Sequence, residues 1–234
     1  MKTIDETLQA LLKNHPDIRI VDVNTFNSPD TSKNNPLKTG TTTCGLKVKG
    51  GIVLAADKRA TMANFIANRQ AQKVNKITDH IWMTIAGGVA DAQYLIDIMR
   101  AEASLFEMRR KRKIPVRALA QMLGNMLFRN KVYPYEVGLL VGGYTEEEGP
   151  MLFDIDGLGS LLPEDFSAVG SGSPFCIGVL ETNWKSGLSP AEGKALAIKA
   201  IQASIARDIA TGNGVDVVVI TKEGSQFEFI PVNF

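Results

Sequence analysis

Thr39-Gly40-Thr41-Thr42-Thr43-Cys44-Gly45 leads into Leu46-Lys47-Val48-Lys49-Gly50-Gly51-Ile52-Val53-Leu54-Ala55-Ala56-Asp57, and here the chain passes from loop composition into sheet. Thr42 to Val48 reads as a strand, Gly50-Gly51 as a turn, and Ile52 to Ala56 as the returning strand of a hairpin. The head of this stretch also carries chemistry. Cutting the Gly40–Thr41 bond would leave Thr41 with a hydroxyl and a free α-amine on one residue. A threonine activated by its own N-terminal amine is a recognised nucleophile. Taken alone, the Gly-Thr-Thr-Thr string reads more simply as a polar turn before a strand.

The texture on either side of Gly40 differs. Before it, Ile4, Leu8, Leu11 and Leu12 recur at helical spacing, and His15-Pro16 stops that segment. Ile18, Ile20, Val21 and Val23 form a β-branched run. Asn24 to Thr39 has loop composition, rich in Asn, Ser, Pro, Asp, Thr and Lys. Residues 1–40 therefore read as a segment attached to the domain rather than as part of its core.

After the hairpin, Ile81 to Ala86 is a strand ending at Gly87-Gly88. A long helix starts at Val89, with Leu95, Ile98, Met99, Leu105 and Phe106 mostly on one face. A second helix runs from about Pro115 to Arg129, burying Leu119, Met122, Leu123, Met126 and Leu127. Val137 to Gly142 and Met151 to Asp154 are strands flanking a Glu-rich turn. Ser167 to Val169 is a short strand before Gly170-Ser171-Gly172-Ser173. Two more helices follow. The second opens on Ser189-Pro190-Ala191-Glu192, a capping box with proline at the first helical position. Its expected buried face is Ala191, Ala195, Ile198, Ile201 and Ile205. Strands Val215 to Thr221 and Gln226 to Pro231 close the chain. Strands and helices come in segregated runs with short turns, which argues α+β architecture with antiparallel sheets.

Composition removes several function classes. The 234 residues are 44% hydrophobic and 22% charged, enough for a well-buried core, and the net charge of +1 gives no global field for nucleic acid or a membrane. Arg109-Arg110-Lys111-Arg112-Lys113 is the longest basic run and suits the negative end of a helix dipole. Cys44 and Cys176 belong to no metal-spaced cluster and read as buried thiols. His15 and His80 lack ligand partners, and neither builds a Ser/His/Asp arrangement. No apolar run approaches membrane-spanning length and no signal-peptide core is present, so a soluble, cytoplasmic protein is expected.

A Thr41 amine would titrate at roughly 7.7–8.0, which suits a proton shuttle. The hydroxyl needs more, because an alcohol is a weak nucleophile. An adjacent ammonium would stabilise the developing alkoxide, and a carboxylate would have to hold that ammonium. Asp57-Lys58-Arg59 and Lys73 are the candidates. Read individually, Lys73 is a solvated lysine, Ser171 a turn residue and Asp208 a surface charge near a helix end.

Several short motifs recur together. Thr39-Gly40-Thr41-Thr42-Thr43, Gly45 and Ala55-Ala56-Asp57-Lys58-Arg59 resemble the start of a proteasome β subunit of archaeal type. Ile85-Ala86-Gly87 with Asp91-Ala92-Gln93, then Gly142-Gly143, Gly170-Ser171-Gly172-Ser173, and Arg207-Asp208 before Gly212 continue the likeness in family order to about Thr221. The resemblance implies a four-layer α-β-β-α sandwich, the N-terminal-nucleophile hydrolase fold. It implies a threonine endopeptidase made as a precursor: residues 1–40 are a prosegment removed at Gly40–Thr41, and 41–234 the catalytic domain. Thr41 matches the nucleophile, Asp57 and Lys73 the carboxylate–lysine pair beside it, and Gly87 the oxyanion-hole N–H. Ser171 and Asp208 match the pair that orders the Thr41 amine. Thr211 stands where the family usually has serine. Ala60, Ala71, Ile85 and Val89 match the substrate pocket, and their apolar character suggests cleavage after hydrophobic residues.

The implied partners are other β subunits in a ring, a ring of α subunits, an unfolding ATPase and unfolded polypeptides. No metal or organic cofactor is required. Forty residues is a long prosegment against the resemblance, with room to assist folding or to delay activation until rings pair. Two rivals stand beside this reading: a silent or unprocessed structural ring subunit, and an N-terminal-nucleophile hydrolase of small amides. The set Thr41, Asp57 and Lys73 argues against the first. The Gly170 to Ser173 loop and Arg207-Asp208 argue against the second.

Overall fold

The structure is a computed structural model and describes residues 40–62 and 65–232. The helix and strand expected within residues 1–39 lie outside them. The hairpin forms as its pattern dictates: β1 (Thr42–Val48) pairs antiparallel with β2 (Gly51–Asp57), Val48 opposite Gly51. The outer edge of β1 takes β10 (Phe166–Gly170), placing Gly170 opposite Thr42. The outer edge of β2 takes β11 (Val215–Thr221), and β12 (Gly224–Ile230) pairs beyond it. A second five-stranded antiparallel sheet runs β5 (Val74–Lys76), β6 (Ile81–Gly87), β7 (Val137–Thr145), β8 (Gly149–Asp156), β9 (Leu161–Pro163) in order. A small ribbon of β3 (Ala60–Met62) and β4 (Phe65–Asn68) stands apart.

Four helices complete the fold among the described residues: α1 (Val89–Arg110), α2 (Val116–Arg129), α3 (Ser173–Asn183) and α4 (Pro190–Ile205). Side chains alternate across a pleat, so each central strand serves two cores. Val53 and Ala55 of β2 join Leu180, Leu196, Ala197 and Ile201 of α3 and α4. Ile52, Leu54 and Ala56 of the same strand meet Trp82, Leu140, Leu152 and Val218 between the sheets. Met83 and Ile85 of β6 pack with Leu95, Met99, Leu119 and Leu123 of α1 and α2. The result is the α-β-β-α sandwich. Burial on both faces explains why these antiparallel strands read as almost unbroken apolar runs rather than alternating ones. Each fully buried Leu or Ile contributes about 1.5–3 kcal/mol.

The helix ends follow their sequence signals. The Ser189 hydroxyl accepts from the Glu192 N–H, and the Glu192 carboxylate accepts from the Ser189 N–H at 2.8 Å. The basic run begins in the last turn of α1, which Lys111 ends in the left-handed conformation at φ 54°.

Some expectations are corrected. Ala191 and Ala195 of α4 are exposed, because Leu196, Ala197, Ala200 and Ile201 define the buried face. Ile96 and Ala103 join the buried face of α1, whereas Ile98, Leu105 and Phe106 are only partly buried. The ribbon β3–β4 and the short strands β5 and β9 were not anticipated. Each has three or four residues, too few for a period to register.

Candidate active site

Strand pairing brings Thr41 to the head of β1, where it is buried. One neighbour in space, far apart in sequence, holds its backbone on both sides. The Thr41 N–H donates to Ser171 Oγ at 3.1 Å, and Ser171 Oγ lies 3.3 Å from the Thr41 carbonyl oxygen. Ser171 follows Gly170, whose φ of 107° and close approach to Thr41 exclude a side chain. A Cβ there would sit 2.1 Å from the Thr41 carbonyl oxygen. The Thr41 hydroxyl donates to the Gly40 carbonyl at 2.7 Å.

Asp57 ends β2 and is fully buried. Its Oδ1 accepts from the Thr42 N–H at 2.9 Å and from Lys73 Nζ at 2.7 Å. Its Oδ2 accepts from the N–H groups of Arg59 and Gly212, both at 2.9 Å. Four donors fill the acceptor capacity of one carboxylate. Lys73, just before β5, reaches across to this carboxylate and also donates to the Arg59 carbonyl. Burial pushes the Lys73 pKa below the ordinary lysine value. The Asp57 and Asp208 carboxylates oppose that shift, and the Arg59 cation adds to it.

Asp208 follows α4. Its Oδ2 accepts from Ser171 Oγ and from Thr211 Oγ1, each at 2.6 Å. Thr211 Oγ1 also lies 2.7 Å from Thr42 Oγ1. Because Thr211 donates to the carboxylate, the Thr42 hydroxyl is the donor in that contact. A threonine at 211 thus closes a chain of hydroxyls, Thr42 to Thr211 to Asp208, and its extra methyl displaces no partner. Behind the site, Lys58 Nζ pairs with buried Asp216 at 2.8 Å. Burial raises the Asp216 pKa and Lys58 opposes the rise.

A cleft of about 790 Å³ opens beside Thr41. Ala60, Ala71, Ile85 and Val89, the four expected pocket residues, all line it, as do Gly87 and Lys73. Gly87 ends β6 with φ 107°, and a Cβ would lie 2.0 Å from the Glu136 carbonyl oxygen, so this corner of the cleft is bare backbone. Gln93, Asp97 and Arg100 from α1 also line the cleft, making it more polar than the four apolar residues suggested. Among the described residues no group of three or more His, Cys, Asp and Glu is placed to hold a metal ion, and no helix is long and apolar enough to cross a membrane.

All seven expected site residues thus lie in one neighbourhood. Two contributors had no role of their own in the sequence reading. Arg59 supplies an N–H to Asp57 and a carbonyl to Lys73, and its guanidinium holds Ile209 O at 2.7 Å and Asn213 Oδ1 at 3.0 Å. Thr61 accepts the Gly40 N–H at 2.8 Å. The adjacency of Arg59 to Asp57 was the available signal for the first. The second had none, because its role depends on strand placement.

Comparison with known proteins gives the family. A family model described as proteasome subunit matches residues 37–220. A proteasome subunit beta of Methanocorpusculum labreanum is 46% identical over 202 residues, covering 86% of this chain and 94% of the relative. One from Methanopyrus kandleri is 47% identical over 189 residues, 80% of this chain and 90% of the relative. Proteasome subunit beta 2 of Aeropyrum pernix is 44% identical over 197 residues, 84% and 89% of the two chains. Matches of this level along nearly the whole described fold show that the chain belongs to the proteasome subunit family.

Proposed function

We propose that this chain is the proteolytic β subunit of a proteasome core, a threonine endopeptidase made as a precursor that cleaves itself between Gly40 and Thr41. The observation that carries the reading is the convergence on Thr41. Its hydroxyl rests on the Gly40 carbonyl at 2.7 Å, its nitrogen on Ser171, and Lys73, paired with buried Asp57, lines the same cleft.

The first reaction is intramolecular. The Thr41 Oγ adds to the Gly40 carbonyl carbon, the Gly40–Thr41 C–N bond breaks, and the hydroxyl proton ends on the departing nitrogen. Water then hydrolyses the ester, releasing residues 1–40 as a carboxylate and restoring the hydroxyl. The new α-amine stays where Ser171, itself held by Asp208, already binds that nitrogen. Peptide hydrolysis follows by the same bond changes in trans. The amine takes the Oγ proton, the acyl group passes to Oγ, the amine returns the proton to the leaving nitrogen, and water frees the acid. The Lys73 ammonium, fixed by Asp57, stabilises the alkoxide as it forms. Gly87 backbone offers the matching place for the carbonyl oxygen.

The ring partners are other proteasome subunits, α and β. Unfolded polypeptides are the substrates, delivered by an ATPase, and the site of action is the cytoplasm. The reading is tested on the assembled particle. A Thr41→Ala chain is expected to lose peptide hydrolysis while still assembling with α subunits; hydrolysis at the wild-type rate would refute Thr41 as the nucleophile.

A further inference from the structure

The residue being cut off is held as closely as the nucleophile. Gly40 is buried. Its N–H donates to the Thr61 hydroxyl at 2.8 Å, and its carbonyl accepts from the Thr41 hydroxyl at 2.7 Å. Both ends of the residue are therefore fixed. Its α-carbon faces a wall. A Cβ on Gly40 would fall 1.7 Å from Ala210 Cβ, 3.0 Å from Ala210 Cα and 3.1 Å from Thr61 Oγ1.

That wall is braced. The Ala210 N–H donates to Asp208 Oδ1 at 3.1 Å. The Arg59 guanidinium grips the flanking Ile209 carbonyl and the Asn213 side chain, and the Gly212 N–H is bound to Asp57. Thr61 is just as fixed, buried within β3. Ordinary carbon–carbon contact is about 3.5–4.0 Å, so any side chain at position 40 requires a displacement of roughly 2 Å. A misplacement of about 1 Å at a reacting centre already costs about a hundredfold in rate.

We propose that Thr61 and Ala210 form a slot that admits only glycine at position 40 and presents its carbonyl to the Thr41 hydroxyl, making them positioning residues for self-cleavage. The proposal rests on the self-cleavage reading above. The slot ties processing to the finished site, because the groups that brace Ala210 are Asp208, Arg59 and Asp57. A chain whose site is incomplete has no wall to seat Gly40.

The test follows the loss of residues 1–40 by intact mass in time courses of the full chain assembling with α subunits. Gly40→Ala is expected to slow cleavage at least a hundredfold. Adding Ala210→Gly removes the 1.7 Å overlap and leaves only the 3.0 and 3.1 Å contacts, so the double variant should recover at least tenfold. Thr61→Val, which strips the acceptor from a buried N–H, should slow cleavage about tenfold. Thr61→Ser should stay within about threefold of wild type, since serine keeps that acceptor. A double variant no faster than Gly40→Ala, or a Thr61→Val chain cut at the wild-type rate, overturns the slot. Thr41→Ala separates the two levels. If that chain is also cut, self-cleavage itself fails. If it stays whole while the double variant recovers nothing, only the slot fails. Should Thr61→Val not assemble, the Gly40–Ala210 pair decides alone.

Discussion

Replacing Asp57 by asparagine keeps the shape of the side chain and removes its charge, which isolates what the carboxylate does. Four donors converge on it: the Thr42 N–H and Lys73 Nζ on one oxygen, the Arg59 and Gly212 N–H groups on the other. An asparagine has one acceptor oxygen, so its NH2 must face two of these donors whichever way the amide turns. Two buried donors then lack partners, at about 1–3 kcal/mol each, a destabilisation of roughly 2–6 kcal/mol. Lys73 also loses the counter-charge that opposes its burial, so its pKa falls further and its ammonium becomes scarcer at neutral pH. Both effects strike the site, since Thr42 adjoins the nucleophile. Urea unfolding of the Asp57→Asn chain, alongside peptide hydrolysis after assembly, reads the two consequences together. The expectation is a midpoint shift equivalent to at least about 2 kcal/mol and a loss of activity of two orders of magnitude or more, each 1.36 kcal/mol of barrier being tenfold. An Asp57→Asn chain within about 0.5 kcal/mol of wild type and still active would refute the view of Asp57 as the anchor of the site.

The pH profile of peptide hydrolysis should be bell-shaped, rising as the Thr41 amine loses its proton and falling as the Lys73 ammonium does. Because burial lowers the Lys73 pKa, the falling limb should lie below the ordinary lysine range, and a profile that keeps rising through that range contradicts the ammonium role. Gly170→Ala places a Cβ 2.1 Å from the Thr41 carbonyl oxygen at a φ of 107°, so it should slow processing and cost about 1–3 kcal/mol of stability from the backbone alone, read as a lower melting temperature. Ser189→Ala breaks the α4 capping box far from the cleft and should cost about 0.5–2 kcal/mol of stability with peptide hydrolysis unchanged.

The fold was legible wherever elements were long and carried a pattern. The hairpin Thr42–Asp57, both helices of the first layer and the Ser189 cap were read to within a residue or two. Strands of three residues had no period to read. The face of α4 was misplaced because Ala191 and Ala195 share helical spacing with true core positions while lying exposed. The site divides differently. Asp57 and Lys73 meet only when the end of β2 comes against the residues preceding β5, a contact that local patterning does not encode. Resemblance supplied it and the distances agree. Arg59 meets Asp57 and Lys73 through its own N–H and carbonyl, and such backbone roles leave no mark on side-chain chemistry. Thr61 faces Gly40 only once β3 is in place.

Thr41 can act through a free amine only if it becomes a chain terminus. Intact mass of the β chain, recovered from particles assembled from the full-length chain with α subunits, measures this directly. The predicted result is a chain beginning at Thr41, shorter by residues 1–40. A chain that retains those residues in a particle that still hydrolyses peptides would contradict it, because the Thr41 nitrogen would remain an amide, with no basic lone pair to take the hydroxyl proton.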